Sequence, residues 1–329
     1  MMFKKTLMAG LTGSLLLAAT LATSAAHAEG WPQRPVRMVV PYTPGGGTDS
    51  ITRIIADKIS QEDKGIQFVV ENKPGAGGNI GMTQVARAKA DGLTLGMGQT
   101  SNLAINPVIM NDMKFDATKD FTPIAVVAEL PTVLVVKADS PYKSLADVVA
   151  AAKEKPGQLK QALATLGTVG HLAGEMLSYK AGIKVLNVPY KGASPALTEL
   201  IGGQTDYMFA TPVSVINLIG DKDLRALAVT SSKRIAAMPD VPTVAEQGYD
   251  DFNAVDFKMI VGPADMPKEA VDRLSKAFMA VSKDPEFVKR MESEGNTVVG
   301  GTADDAKAYL AKEQSEWATL LKAMDIQLK

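Results

Sequence analysis

The chain has 329 residues, 46% of them apolar and 22% charged, with a formal net charge of -1. That balance excludes disorder, collagen or coiled coil throughout, and it excludes a basic nucleic-acid binder. No cysteine and only two histidines, His27 and His171, exclude disulfides, thiol nucleophiles, iron–sulfur clusters and Cys-rich zinc sites.

Residues 1–28 open with Lys4 and Lys5, continue as an apolar run from Leu7 to Leu21, and end in Ala26-His27-Ala28. This is the pattern of a secretory signal peptide with its small-residue cleavage site. The expected mature chain is therefore a periplasmic protein of a Gram-negative cell. It has no cysteine to accept a lipid and no second apolar stretch of membrane-spanning length.

Val36–Val40 reads as a strand, the glycine-rich Tyr42–Thr48 as a loop, and Ile51, Ile54, Ile55 and Ile59 as one face of a helix. Ile66–Val70 predicts the next strand, Pro74–Gly78 a turn, and Ile80, Val85 and Ala88 a second helix. Leu93–Met97 predicts a third strand. This is βαβ grammar, which predicts parallel sheets with helices on both faces. Further on the pattern gives strands at Thr132–Val136, Leu159–Ala164, Lys184–Val188, Tyr207–Ala210 and Leu224–Thr230. Helices fall at Leu145–Glu154, His171–Lys180, Ala193–Ile201 and Val213–Leu218. Three more close the chain, at Lys268–Val281, at Pro285–Glu294, and a last one with Leu310, Trp317, Leu320, Leu321 and Met324 on one side. Turn-rich stretches place two crossings near 124–130 and 239–250; if the segment between them is inserted, the mature chain divides into a first domain of 29–126 plus 247–329 and a second of 127–246.

Two of the three glycine loops are candidate anion sites. Pro41–Asp49 joins a strand to a helix, so its backbone can approach a ligand closely and its N–H groups favour an anion. Asp49 reads either as a helix cap or as a partner for a ligand amine. Leu163–His171 is the second, with Thr165 and Thr168 as hydroxyl donors. In Pro74–Gly81 the glycines fall as GxGxxxG, but no acidic residue stands where a dinucleotide site needs it, so the turn reads as a cleft wall. Nothing resembles HExxH or GxSxG, and a lone His171 builds neither a triad nor a zinc site. The inventory predicts no catalytic residue, no metal and no cofactor.

Read in order, Val39-Val-Pro-Tyr-Thr-Pro-Gly-Gly-Gly-Thr-Asp49, Val70-Glu-Asn-Lys-Pro-Gly-Ala-Gly-Gly78, Asp120-Phe-Thr-Pro123, His171-Leu-Ala-Gly-Glu175, Val188-Pro-Tyr-Lys-Gly192 and Pro239-Asp-Val-Pro-Thr243 resemble the periplasmic receptors of tripartite tricarboxylate transporters, the Bordetella uptake gene family. The resemblance runs through essentially the whole mature chain. It implies an α/β two-domain periplasmic binding protein of the type II, Venus-flytrap kind, each domain a mostly parallel sheet flanked by helices. It implies a monomer that passes a small organic carboxylate to a small and a large integral membrane subunit. It places ligand contacts on Tyr42, Thr43, Pro44, Gly45, Gly46, Gly47, Thr48 and Asp49. Gly77, Gly78 and Asn79 close part of the same wall. Ala164, Thr165, Gly167, Thr168 and His171 come from the opposite domain, flanked by Pro189, Tyr190, Lys191 and Gly192.

Two departures from the family pattern, Leu163 in place of a small polar residue and Phe257 where relatives carry tryptophan, predict a more apolar pocket. They favour an aromatic mono- or dicarboxylate such as terephthalate. A ligand sensor for a membrane histidine kinase and a secreted carboxylate-processing enzyme are the alternatives.

Overall fold

The structure, a computed structural model, describes residues 30–45, 47–164, 166–190 and 192–324. The expected leader, together with Gly46, Thr165 and Lys191, lies outside the described residues.

Two lobes each centre on one sheet. The first sheet contains β1 (Val36–Val40), β2 (Phe68–Asn72), β3 (Thr94–Gln99), β4 (Phe121–Pro131), β10 (Val255–Pro263) and β11 (Thr297–Gly300). The second contains β5 (Val133–Lys137), β6 (Lys160–Leu163), β7 (Leu186–Pro189), β8 (Tyr207–Ala210) and β9 (Leu224–Val229). Their strand orders are β11-β4-β10-β3-β1-β2 and β7-β6-β8-β5-β9.

The βαβ expectation holds where it was strongest: β1 pairs parallel with β2 and β3, and β6 with β7 and β8. The remaining pairings are antiparallel, so the sheets are mixed rather than mostly parallel. The cause is the chain path. β4 leads out of the first lobe and β10 leads back, so the two lie side by side in opposite directions, with Leu130 opposite Asp256 and Pro131 opposite Val255.

We place the two crossings at 131–132 and 230–254. They are tied together by two buried threonines. The Thr132 N–H donates to Thr230 Oγ1 at 2.8 Å, and the Thr230 N–H donates to the Thr132 carbonyl at 2.9 Å. Thr230 Oγ1 donates in turn to the Ala254 carbonyl at 2.7 Å.

Helix α1 (Gly47–Glu62) lays Ile51, Ile55 and Ile59 on one face of the first sheet beside Val36 and Met38 of β1 and Leu274 and Phe278 of α8 (Lys268–Val281). Val39, one position out of step, faces the other side with Met82 and Val85 of α2 (Asn79–Ala86), as strand alternation requires. That second core continues through Phe252, Ala254 and Phe257 into the second lobe, where it meets Leu134, Tyr207 and α5 (Val169–Ala181). The last helix, α10 (Ala303–Ala323), buries Leu310, Trp317 and Leu321 in this shared core, so its apolar stripe packs on its own chain.

Candidate functional site

A cleft of about 390 Å³ lies between the lobes. Its first-lobe wall carries Tyr42, Gly77, Gln99, Ser101, Asn106 and Asp256; its second-lobe wall carries Ala164, Leu166, Val169, Gly170 and Phe209, among others. Both loops expected to face one another do reach it, but through a few residues each.

The first-lobe wall is a chain of side-chain hydrogen bonds. Gln99 ends β3, and its Oε1 accepts from Thr48 Oγ1 at 2.9 Å and from Lys258 Nζ at 2.5 Å. Its Nε2 donates to Ser101 Oγ at 3.1 Å, and Ser101 Oγ bonds the Tyr42 hydroxyl at 2.8 Å. The Tyr42 hydroxyl also donates to the Gly77 carbonyl at 3.1 Å and accepts from Asn102 Nδ2 at 3.2 Å. One phenol thus joins the two glycine loops. Burial, with the Asp256 charge adding to it, lifts this phenol above its ordinary range, so it remains protonated. Gly78 has to be glycine: its φ is +94°, and a Cβ there would lie 2.8 Å from the Tyr42 hydroxyl.

An ion pair that the sequence reading did not single out joins the wall, at Asp256, to Lys258 behind it. Asp256 and Lys258 are two apart on β10 and so share a face. Lys258 Nζ donates to Asp256 Oδ2 at 2.5 Å, and the Lys258 side chain is 4% exposed. Phe257, between them, faces the other way into the core, edge-on to Tyr309 with ring centroids 5.5 Å apart. The alternation of polar 256 and 258 with apolar 255, 257 and 259 was the available signal.

The polar part of the second-lobe wall is backbone. Thr168 caps α5, its hydroxyl accepting from the His171 N–H at 3.4 Å. The N–H groups of Val169 and Gly170 open the helix, where no intrahelical acceptor exists, and both residues line the cleft. The helix start is pinned from beneath. Buried Gln161 donates to the Gly170 carbonyl at 3.2 Å and accepts from the Tyr207 hydroxyl at 3.0 Å. A Cβ at Gly170 would stand 2.5 Å from the Phe209 carbonyl oxygen.

Among the sequence-predicted site residues, Tyr42, Gly77, Ala164, Gly167 and Thr168 line the cleft. Thr43, Pro44, Gly45 and Gly47 are exposed and stand outside its lining. Thr48 reaches the wall only by holding Gln99. Asp49 is occupied by its own lobe: it accepts from the Gly45 N–H at 2.9 Å, from Arg53 Nε at 3.0 Å and from Asn72 Nδ2 at 2.9 Å. Burial would raise its carboxyl, but these donors and the Arg53 charge win and hold it at about 2. It braces the loop, and a ligand amine finds its oxygens already taken.

Gly78 and Asn79 support the wall from behind, Asn79 Oδ1 accepting from Asn106 Nδ2 at 3.0 Å. His171 is buried and turned inward. Its Nδ1 accepts from the Gly167 N–H at 3.2 Å, and its Nε2 stands 3.7 Å from Glu175. It shapes the loop, and the Gly167 N–H it uses is one donor fewer for a ligand.

Pro189, Tyr190 and Gly192 act through the backbone, the Gly192 N–H donating to the Ala164 carbonyl at 2.7 Å. Leu163 also stays out of the cleft, buried in β6 at 1% exposure; the apolar side chain presented there is Leu166, 48% exposed. The apolar lining of the cleft comes from Leu166, Val169, Met208 and Phe209, not from Leu163 and Phe257, which are buried in the core.

Comparison with known proteins agrees with this architecture. A model of the tripartite tricarboxylate transporter family receptor matches residues 51–326. A Pseudomonas sp. (strain P51) protein, described as a UPF0065 protein in the tcbD-tcbE intergenic region, is 36% identical over 94% of this chain and 92% of its own. The structure titled R. palustris Rpa4515 with adipate superposes with a TM-score of 0.81 at 32% identity, covering 90% of this chain and 99% of that one. MatC from Rhodopseudomonas palustris with bound malate gives 0.77 at 28% identity, covering 88% and 100%. The chain belongs to the tripartite tricarboxylate transporter receptor family, and is a periplasmic receptor that binds a small organic carboxylate for a transporter of that type rather than an enzyme.

Proposed function

We propose that the cleft receives a carboxylate with an apolar body, an aromatic mono- or dicarboxylate such as terephthalate, and that the closed receptor hands it to a small and a large integral membrane subunit. The observation that carries this reading is the contrast between the walls. The start of α5 offers N–H groups and a positive helix end to an anion. Around it Leu166, Val169, Met208 and Phe209 offer an apolar surface to the rest of the ligand. The Tyr42 hydroxyl and the Gly77 turn approach from the other lobe, with room for ordered water to bridge carboxylate and backbone. The relatives solved with adipate and with malate support a small carboxylate in such a cleft. Closing the lobes about the side-by-side crossings at Thr132 and Thr230 would strengthen these bonds by excluding bulk water.

The test is calorimetric titration of the chain from Glu29 onward, refolded to strip copurified ligand, against benzoate, phthalate, terephthalate, protocatechuate, nicotinate, glutamate, aspartate, citrate and succinate. Submicromolar binding of an aromatic acid with the aliphatic acids silent is expected. Tight binding of glutamate or citrate instead would overturn the aromatic assignment.

A further inference from the structure

The cleft holds one acid whose role the carboxylate-binding reading leaves open. Asp256 lines the cleft on the first-lobe wall, where β10 enters from the crossing, opposite the start of α5. A bare carboxylate is a poor neighbour for an anionic ligand, so its presence in the wall asks for a reason. One oxygen, Oδ2, is engaged by Lys258 at 2.5 Å. The other, Oδ1, is buried and has no donor among the described residues. Lys258 is held behind the wall by Asp256 and Gln99 together and does not itself line the cleft. The ligand therefore meets the acid of the pair, with the ammonium shielded. A buried acceptor without a donor is costly, and because Asp256 already lies in the cleft lining, turning Oδ1 toward a ligand donor would recover that cost.

We propose that Asp256 is a specificity-determining residue, its carboxylate receiving a hydroxyl or amino donor on the ligand's end remote from the ligand's own carboxylate, and repelling a second carboxylate there. The inference rests on the carboxylate-receptor reading and narrows it. Within the aromatic class it favours hydroxy- and amino-substituted monocarboxylates over dicarboxylates. The arrangement is self-consistent in charge: the anionic end sits at the α5 N-terminus, while the pair of Asp256 and Lys258 adds no net charge but orients its negative side inward. Lys258 supports this as a positioning residue, fixing the Asp256 rotamer and Gln99 from behind.

The experiment titrates the refolded chain with two matched series, benzoate, 4-hydroxybenzoate, 4-aminobenzoate and terephthalate, and pentanoate, 5-hydroxypentanoate and adipate. In at least one series the donor-bearing acid is expected to bind tenfold or more tighter than its unsubstituted parent, with the dicarboxylate weakest. Asp256→Asn is expected to abolish the disadvantage of the dicarboxylate by tenfold or more. Because D256N leaves Lys258 short of its counter-charge, the double variant D256N/K258M is measured alongside, and should show the same loss of discrimination if folded. A wild-type dicarboxylate that binds as tightly as the donor-bearing acid overturns the role of Asp256 while leaving the receptor reading intact. Silence of both series from folded wild-type protein overturns the ligand reading and this inference with it.

Discussion

The two walls of the cleft are built on different principles. The second-lobe wall presents main chain to the proposed ligand: the first N–H groups of α5, held in place by Gln161 and Tyr207. The first-lobe wall presents side chains, in a run from Thr48 through Gln99 and Ser101 to Tyr42, with Asp256 and Lys258 paired beside it. A backbone site hardly depends on which side chains surround it, but it tolerates no added atom where helix and strand touch. A side-chain site is altered by single substitutions and is the natural place for specificity to vary.

The largest effect is expected at the buried pair. Replacing Lys258 by Met removes the ammonium that neutralises Asp256 and leaves Gln99 Oε1 with one donor fewer. Breaking a buried pair from one side costs about 3–5 kcal/mol, which urea unfolding would register as a lower midpoint at unchanged slope. If K258M unfolds like the parent, the first-lobe wall is not organised by this pair and the contrast between the walls loses its basis.

The second-lobe wall is broken by an addition. In Gly170→Ala the new methyl would approach the Phe209 carbonyl to 2.5 Å, so the helix start must lift off β8. Overpacking of this kind costs about 1–3 kcal/mol, and the displaced N–H groups should weaken carboxylate binding by an order of magnitude in calorimetry. A G170A chain that binds as tightly as the parent would show that the helix start does not hold the anion. The two substitutions differ in kind: K258M should change which ligands are preferred, whereas G170A should weaken all of them alike.

Much of this was legible in the sequence, for identifiable reasons. The helices at Leu145–Glu154, Ala193–Ile201 and Lys268–Val281 were read to the residue, because each carries an apolar stripe at a three-to-four spacing. Strands β4 and β10 were not read. β4 contains Pro123 and runs to Pro131, and β10 carries Asp256 and Lys258 among its apolar residues, so both resemble boundary loops locally. Their strand character comes from pairing with each other across more than a hundred residues, which no local window contains. The site was legible to the same extent. The two helix-start loops announce themselves with glycine and threonine, while Gln99, Ser101 and Asp256 reach the cleft only through sheet register. Leu163 and Phe257 misled for the converse reason: alternation along β6 and β10 turns both into the core.

A smaller effect tests what lies behind the first-lobe wall. Glu313 on α10 is buried, and burial, with Glu316 and Glu129 nearby, pushes its carboxyl up to about 7 despite a hydrogen bond from Trp317 Nε1 at 3.2 Å. An acid whose folded pKa lies above its unfolded value near 4.5 leaves stability untouched at low pH. As pH rises from about 4.5 to about 7 the unfolded chain releases its proton first, and stability falls. Glu313→Gln should therefore raise the melting temperature at pH 8, by an amount worth about 1–2 kcal/mol, and leave it nearly unchanged at pH 4.5. An equal shift at both pH values would mean that packing, and not ionisation, separates the two side chains.

The smallest effect is also the one that discriminates most finely between the walls. Tyr42→Phe removes a hydroxyl that donates to the Gly77 carbonyl and accepts from Asn102, with Ser101 as a third partner. A net hydrogen bond is worth about 1 kcal/mol, and partners left without it add to the loss. Part of that cost should appear as stability and part as affinity, because the Gly77 turn is then free to move away from the cleft. Calorimetry against the preferred carboxylate should show a few-fold loss in Y42F with the ranking of ligands preserved, since Asp256 is untouched. A reordering of ligands in Y42F would mean that the phenol, rather than Asp256, sets the selectivity of the first-lobe wall. The assignment of specificity to β10 would then move to the glycine loops.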